Sequence, residues 1–157
     1  MDENMLVHRL IDLFRYKDSF QQQSSGIAPQ DMYVLERVYY QEKTRSRDLS
    51  RAYGIPPSTL TGILDRLEEK KCIRRDRKSD DRRAVDLAVT GRGKDVLKRH
   101  IEENKLFSRN LFNGLDDGQR KIFLGLLEVL LNAVKKDRLF DPDGKMMGEK
   151  NNDADRI

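Results

Sequence analysis

Positions 70–83 carry eight cations, Lys70, Lys71, Arg74, Arg75, Arg77, Lys78, Arg82 and Arg83, against three acids, Asp76, Asp80 and Asp81. Eight against three is a local +5, whereas the whole chain carries +4, so all other residues together sum to −1. Charge this localised suits a polyanion. Shortly before it, Ser58, Thr59 and Thr61 offer hydroxyls able to bond to bases or phosphates. Nothing comparable points to catalysis, because no nucleophile–base pair and no glycine-rich cofactor loop is present. Arg92-Gly93-Lys94 comes nearest to a phosphate loop, but Ala88 stands where that motif needs its earlier glycine. His8, His100 and Cys72 are too few and too scattered for a metal-ligand cluster, and Asp141-Pro142-Asp143-Gly144 lacks calcium-loop spacing. The expectation is a protein with no enzymatic activity, no cofactor and no metal.

Those side chains need elements to position them. A short helix is predicted over 46–53, with Thr44 or Ser46 as N-cap, closed by Gly54 and followed by Ile55 as a plug into the core. Pro57 suits the first position of a second helix that runs to about residue 70 and buries Leu60, Ile63, Leu64 and Leu67. Two strands follow, 72–76 and 84–89, with 77–83 as the tip of their hairpin. In the second strand Val85, Leu87 and Val89 alternate with Asp86 and Ala88, as in a half-buried strand.

Upstream, Leu6, Val7, Leu10, Leu13, Phe14 and Phe20 predict an amphipathic helix over 4–23, ended by Ser24-Ser25-Gly26. Another helix starts near Pro29 and ends at about Tyr40, leaving 41–44 as a polar link. Downstream, a long helix over 91–113 is broken at Asn113-Gly114. Asp116 and Gln119 then form a capping-box pattern that opens a strongly apolar last helix. Residues 141–157 form a polar tail. The fold class is mainly α, an α+β chain with one small β-hairpin.

With 157 residues, 37% charged and 37% hydrophobic, the chain has room for one domain with a core, plus an oligomerisation element. No apolar run approaches the roughly 18 residues of a membrane span, and the acidic start, Asp2 and Glu3, is unlike a secretory signal. The single cysteine, Cys72, fits a reducing compartment. The expected location is cytoplasmic, with no membrane partner.

Two helices joined by a tight turn and followed by a basic hairpin make a winged helix-turn-helix. Its second helix can enter the major groove of B-DNA, early residues against base edges. The hairpin tip can reach a neighbouring minor groove, where narrow geometry favours arginine. At LSRAYGI (49–55), LDRLEEK (64–70), IRR (73–75), DRRA (81–84) and VTGRG (89–93) the sequence resembles the MarR family of bacterial transcription regulators. The likeness extends over about 4–138, and its most specific part is Asp81-x-Arg83 followed by Thr90 and Gly93.

The resemblance implies an obligate homodimer with interlocked N- and C-terminal helices, and double-stranded DNA in the form of a pseudo-palindromic operator. It also implies repression relieved by a small-molecule effector or an oxidant. On that basis residues 1–28 and 94–140 are the dimerisation region, and 29–93 the winged helix-turn-helix. The expected DNA contacts are Ser46, Arg47, Pro57, Ser58, Thr59, Thr61, Gly62 and Arg66 in the helices, with Arg74, Arg77, Lys78, Asp81, Arg82 and Arg83 in the wing. Arg83 takes the role of the minor-groove arginine and Asp81 that of the acid orienting it.

Gly62 stands where the family often places a base-reading arginine, which shifts the reading onto Thr61, Arg66 and DNA shape. Lys71 replaces a glycine suited to a left-handed backbone. Cys72 reads as a buried structural thiol rather than a redox sensor. Tyr33, Tyr39 and Tyr40 read as core packing before ligand contacts, and the effector site is not identified. The competing reading is a winged-helix protein-interaction module that has lost DNA reading, for which Gly62 is the motive.

Overall fold

The computed structural model describes residues 2–41, 44–77 and 85–134, with only the backbone described at 77 and 85. Helix α1 (Glu3–Ser25) starts where the Asp2 side chain accepts the Met5 amide at 2.8 Å and stops at Gly26, whose φ of 69° is the left-handed value that ends helices. Pro29 opens α2 (Pro29–Tyr40). Strand β1 (Thr44–Arg45) leads directly into α3 (Ser46–Tyr53). The neighbouring helix α4 (Pro57–Glu69) is followed by β2 (Ile73–Arg77) and β3 (Val85–Val89). Then come α5 (Gly91–Leu111) and α6 (Asp117–Ala133).

The hairpin is accompanied by a strand that the sequence pattern did not indicate. β1 pairs antiparallel with β3, Thr44 opposite Leu87, so the sheet has three strands in the order β1-β3-β2. Thr44 is buried and its hydroxyl turns back to donate to the Gln41 carbonyl at 3.0 Å, so it does not cap α3. Arg45 is the N-cap of α3 and Ser46 its first residue, and no side chain caps that helix. Both sequence-based cap assignments fail for one reason: the residues before α3 are held by the sheet.

The chain divides into two compact units, one ending at Asn110 and one beginning at Leu111. In the first, one core joins Ile27, Val34 and Leu35 to Leu49, Leu60, Leu67, Ile73, Leu87 and Leu97. Polar bonds tie α1 to α5: the Gln21 amide donates to Asn104 Oδ1 at 3.0 Å, and the Ser24 hydroxyl to Glu103 Oε1 at 2.6 Å. In the second unit the expected capping box opens α6, with the Gln119 amide bonded to Asp116 Oδ1 at 2.8 Å and the Gln119 side chain returning to the Asp116 amide at 3.1 Å. None of the residues of α6 is buried in the single chain. Among the described residues no helix is long and apolar enough to cross a membrane.

Candidate nucleic-acid interface

The turn between α3 and α4 is built from local chemistry. Gly54 adopts φ 62°, the Ile55 amide returns to the Ser50 carbonyl at 3.2 Å, and the Ser50 hydroxyl donates to the Ile55 carbonyl at 2.7 Å. Ile55 packs against the core, fixing the angle at which α4 leaves. Pro56 and Pro57 then start α4 without a side-chain cap. Proline lacks an N–H, so the backbone donors at this helix end belong to Ser58 and Thr59, both exposed. Such an end favours a phosphate.

On the outer face of α4, Thr61 is exposed and its hydroxyl donates to the Pro57 carbonyl at 2.9 Å, leaving its oxygen as an acceptor. Arg66 is held from behind. Its Nε lies 2.9 Å from Asp31 Oδ2 and its Nη2 2.6 Å from Asp31 Oδ1, a forked ion pair between α4 and α2. Asp31 is 1% exposed and the Arg66 side chain 49%. The hydrogen bonds that Arg66 donates to Asp31 raise its pKa further, so its charge is permanent. Sequence reasoning missed Asp31. The available signal was an acid within the apolar stripe Val34, Leu35 and Val38 of α2, at helical spacing.

The wing base accounts for much of the apparent charge cluster. Arg75 faces α4 and binds Asp65 at 2.6 Å and Glu68 at 2.7 Å, bracing the sheet against that helix. The Lys70 ammonium donates to the Gly26 carbonyl at the end of α1. Arg74 is exposed and pairs with Asp76 at 3.0 Å, a solvent-screened contact. The +5 of the sequence is therefore partly spent inside the fold. Arg47 is exposed and Ser46 and Gly62 half-buried. Arg77 ends β2, opposite Val85. Lys78, Asp81, Arg82 and Arg83 lie outside the described residues.

Two residues of the wing motif act in the scaffold. The Thr90 hydroxyl donates to the Lys71 carbonyl at 2.6 Å and accepts from the Gly93 amide at 3.0 Å, riveting the start of α5 to the end of α4. A Cβ at Gly93 would lie 2.1 Å from the Cys72 carbonyl oxygen, so only glycine fits that approach. Lys71 has φ 58°, as its replacement of a glycine implied, and its amide and that of Cys72 return to the Glu68 and Leu67 carbonyls at 2.8 and 2.9 Å. Cys72 is fully buried, and burial pushes its thiol pKa up despite the nearby Arg92.

The tyrosine expectation is corrected. Tyr33, Tyr39 and Tyr40 are exposed in the single chain, and the Arg37 guanidinium lies 4.0 Å from the Tyr33 ring centre. Tyr33 borders a cavity of about 250 Å³ between α1, α2 and the middle of α5, with Gln21, Met32, Glu36 and His100. His100 Nε2 is 3.4 Å from Glu36 Oε1, and this contact, outweighing partial burial, holds the Glu36 pKa below its ordinary value. His100 Nδ1 is buried without a hydrogen-bond partner.

Residues 27–85 match the model of the MarR family. The HTH-type transcriptional regulator SarZ of Staphylococcus saprophyticus is 32% identical over 103 residues, which cover 66% of this chain and 67% of SarZ. This chain belongs to the MarR family. The uncharacterized HTH-type transcriptional regulator YwhA of Bacillus subtilis is 26% identical over 137 residues, 83% of this chain and 99% of YwhA. A mutant of S. aureus MepR shares the fold at a TM-score of 0.76 and 18% identity, over 86% of this chain and all of that one. A second MepR mutant, also 18% identical over the same shares, was solved bound to an oligodeoxyribonucleotide and superposes with a TM-score of 0.64. The protein is thus a MarR-family, DNA-binding regulator of transcription with a winged helix-turn-helix. In MarR-family terms, the stretch matched by the family model is the α2–β3 region, whose outer surface carries Ser58, Thr59, Thr61 and Arg66.

Proposed function

We propose that the chain acts in the cytoplasm as a homodimeric repressor that binds a pseudo-palindromic operator and is released by a small ligand. The observation that carries this reading is the first turn of α4, uncapped and exposed on a helix otherwise locked into the core. Two such helices about one DNA turn apart, roughly 34 Å, would meet successive major grooves. MepR, a protein of the same fold, has been solved with an oligodeoxyribonucleotide, which supports duplex DNA as the partner.

The dimer reading rests on apolar surface. Leu6, Leu10 and Phe14 in α1 are 54%, 44% and 45% exposed, and Leu126 and Leu130 in α6 are 65% and 56% exposed. Apolar faces of this extent mark an interface, and a second copy is the occupant that the family resemblance implies. The cavity beside Tyr33, Glu36 and His100 is the candidate effector site. A ligand there acts on DNA affinity by its differential preference for one spacing of the two α4 helices.

The test is a titration of the protein on its own promoter DNA and on random duplex at several salt concentrations. The reading requires tighter binding to the promoter, and Arg83→Ala should weaken that binding by about 1–3 kcal/mol. Equal affinity for both duplexes overturns it and favours the protein-interaction module.

A further inference from the structure

We infer that Arg66 is the base-reading guanidinium of α4, standing in for a side chain at position 62, with buried Asp31 as its positioning residue and Gly62 as the gap it occupies. The inference rests on the reading of α4 as a major-groove helix. Two observations converge on it. A Cβ built at Gly62 would lie 3.6 Å from Arg66 Nη1, so the guanidinium already covers the surface of residue 62. Helical side chains lean toward the N-terminus, which is how a residue one turn later covers that spot. Ser58, Gly62 and Arg66 follow one another at four-residue spacing, so Arg66 extends the row that begins at the exposed first turn.

The guanidinium has two edges that can each present a pair of parallel N–H groups. Asp31 occupies the edge formed by Nε and Nη2. The other edge, formed by Nη1 and the second N–H of Nη2, remains, on a side chain that is 49% exposed. A pair of N–H donors in that geometry matches O6 and N7 of guanine. The carboxylate is 1% exposed and belongs to a different helix, so the fork is set before DNA arrives and little side-chain freedom is lost on contact. A larger residue at position 62 would take this space.

The experiment selects binding sites from a random-sequence duplex library with the full-length protein, its Arg66→Lys and Asp31→Asn variants, and Gly62→Leu, at one salt concentration. Thermal melting accompanies each variant. Lysine keeps the charge beside Asp31 but not the fork, so Arg66→Lys carries the test even if Asp31→Asn fails to fold. The wild type should enrich a site with a guanine in each half. Replacing that guanine should cost it about tenfold or more in affinity, and cost the folded variants less than about twofold, while random duplex binds all of them alike within about twofold. If Arg66→Lys and Asp31→Asn enrich the wild-type site with undiminished preference, the inference is wrong. It is equally overturned if they lose affinity evenly across all sequences, the mark of a phosphate contact or a structural pair. A wild type that enriches no site overturns the regulator reading itself, a result distinct from either of these.

Discussion

Helices α4 and α6 each carry an apolar face, and the two faces have opposite fates. α4 sinks Leu60, Ile63, Leu64 and Leu67 to 1% exposure or less, whereas α6 leaves Ile122, Leu126, Val129 and Leu131 about two-thirds exposed. Periodicity states that a face must be covered and is silent on what covers it. The face of α4 finds its cover within the chain, because α2, α3 and β2 close around it. The face of α6 stays largely exposed among the described residues, although the Phe123 ring lies 5.7 Å from that of Phe112, and its stability is then linked to the concentration of whatever binds it.

Identical substitutions in the two helices separate these cases most sharply. Leu67→Ala should cost about 2–5 kcal/mol, read by chemical denaturation, and the loss should not depend on protein concentration. Leu126→Ala should instead weaken self-association, read by sedimentation at a series of dilutions. A concentration-independent loss at Leu126 would break the contrast. Gly93→Ala should cost about 1–3 kcal/mol, since α5 must move off the Cys72 carbonyl, and denaturation would report it with the Leu67 result. Lys71→Gly, at the left-handed end of α4, should stabilise by about 1 kcal/mol, measured the same way.

The smallest effect concerns acid. Glu36 has a folded-state pKa below its unfolded one, so its contribution is complete above the unfolded value and is lost as pH falls through the lowered folded value. Denaturation midpoints below about pH 4 should therefore fall less steeply in Glu36→Gln than in the wild type. Parallel acid limbs would remove His100 as the cause.

The elements were legible to within a residue or two where the signals lie close together in the chain. Gly54, Pro57 and the Asp116–Gln119 box each act within one turn of themselves, so their spacing carries the information. β1 was not legible because two residues make no period, and the pairing of Thr44 with Leu87 is a contact across the fold. The candidate interface divides in the same way. Exposure of Ser58 and Thr59 follows from the helical pattern, and the left-handed Lys71 from its place after α4.

By itself the sequence determined the helix-turn-helix, the two hairpin strands, the family and a local surplus of cations. The tertiary structure alone decided where several of those cations go. Arg66 meets an acid 35 positions away and Lys70 a carbonyl 44 positions away, while Arg75 turns inward to two acids of α4. Charge in a sequence is a sum, but partnership needs atoms within about 3 Å, and the fold supplies that distance.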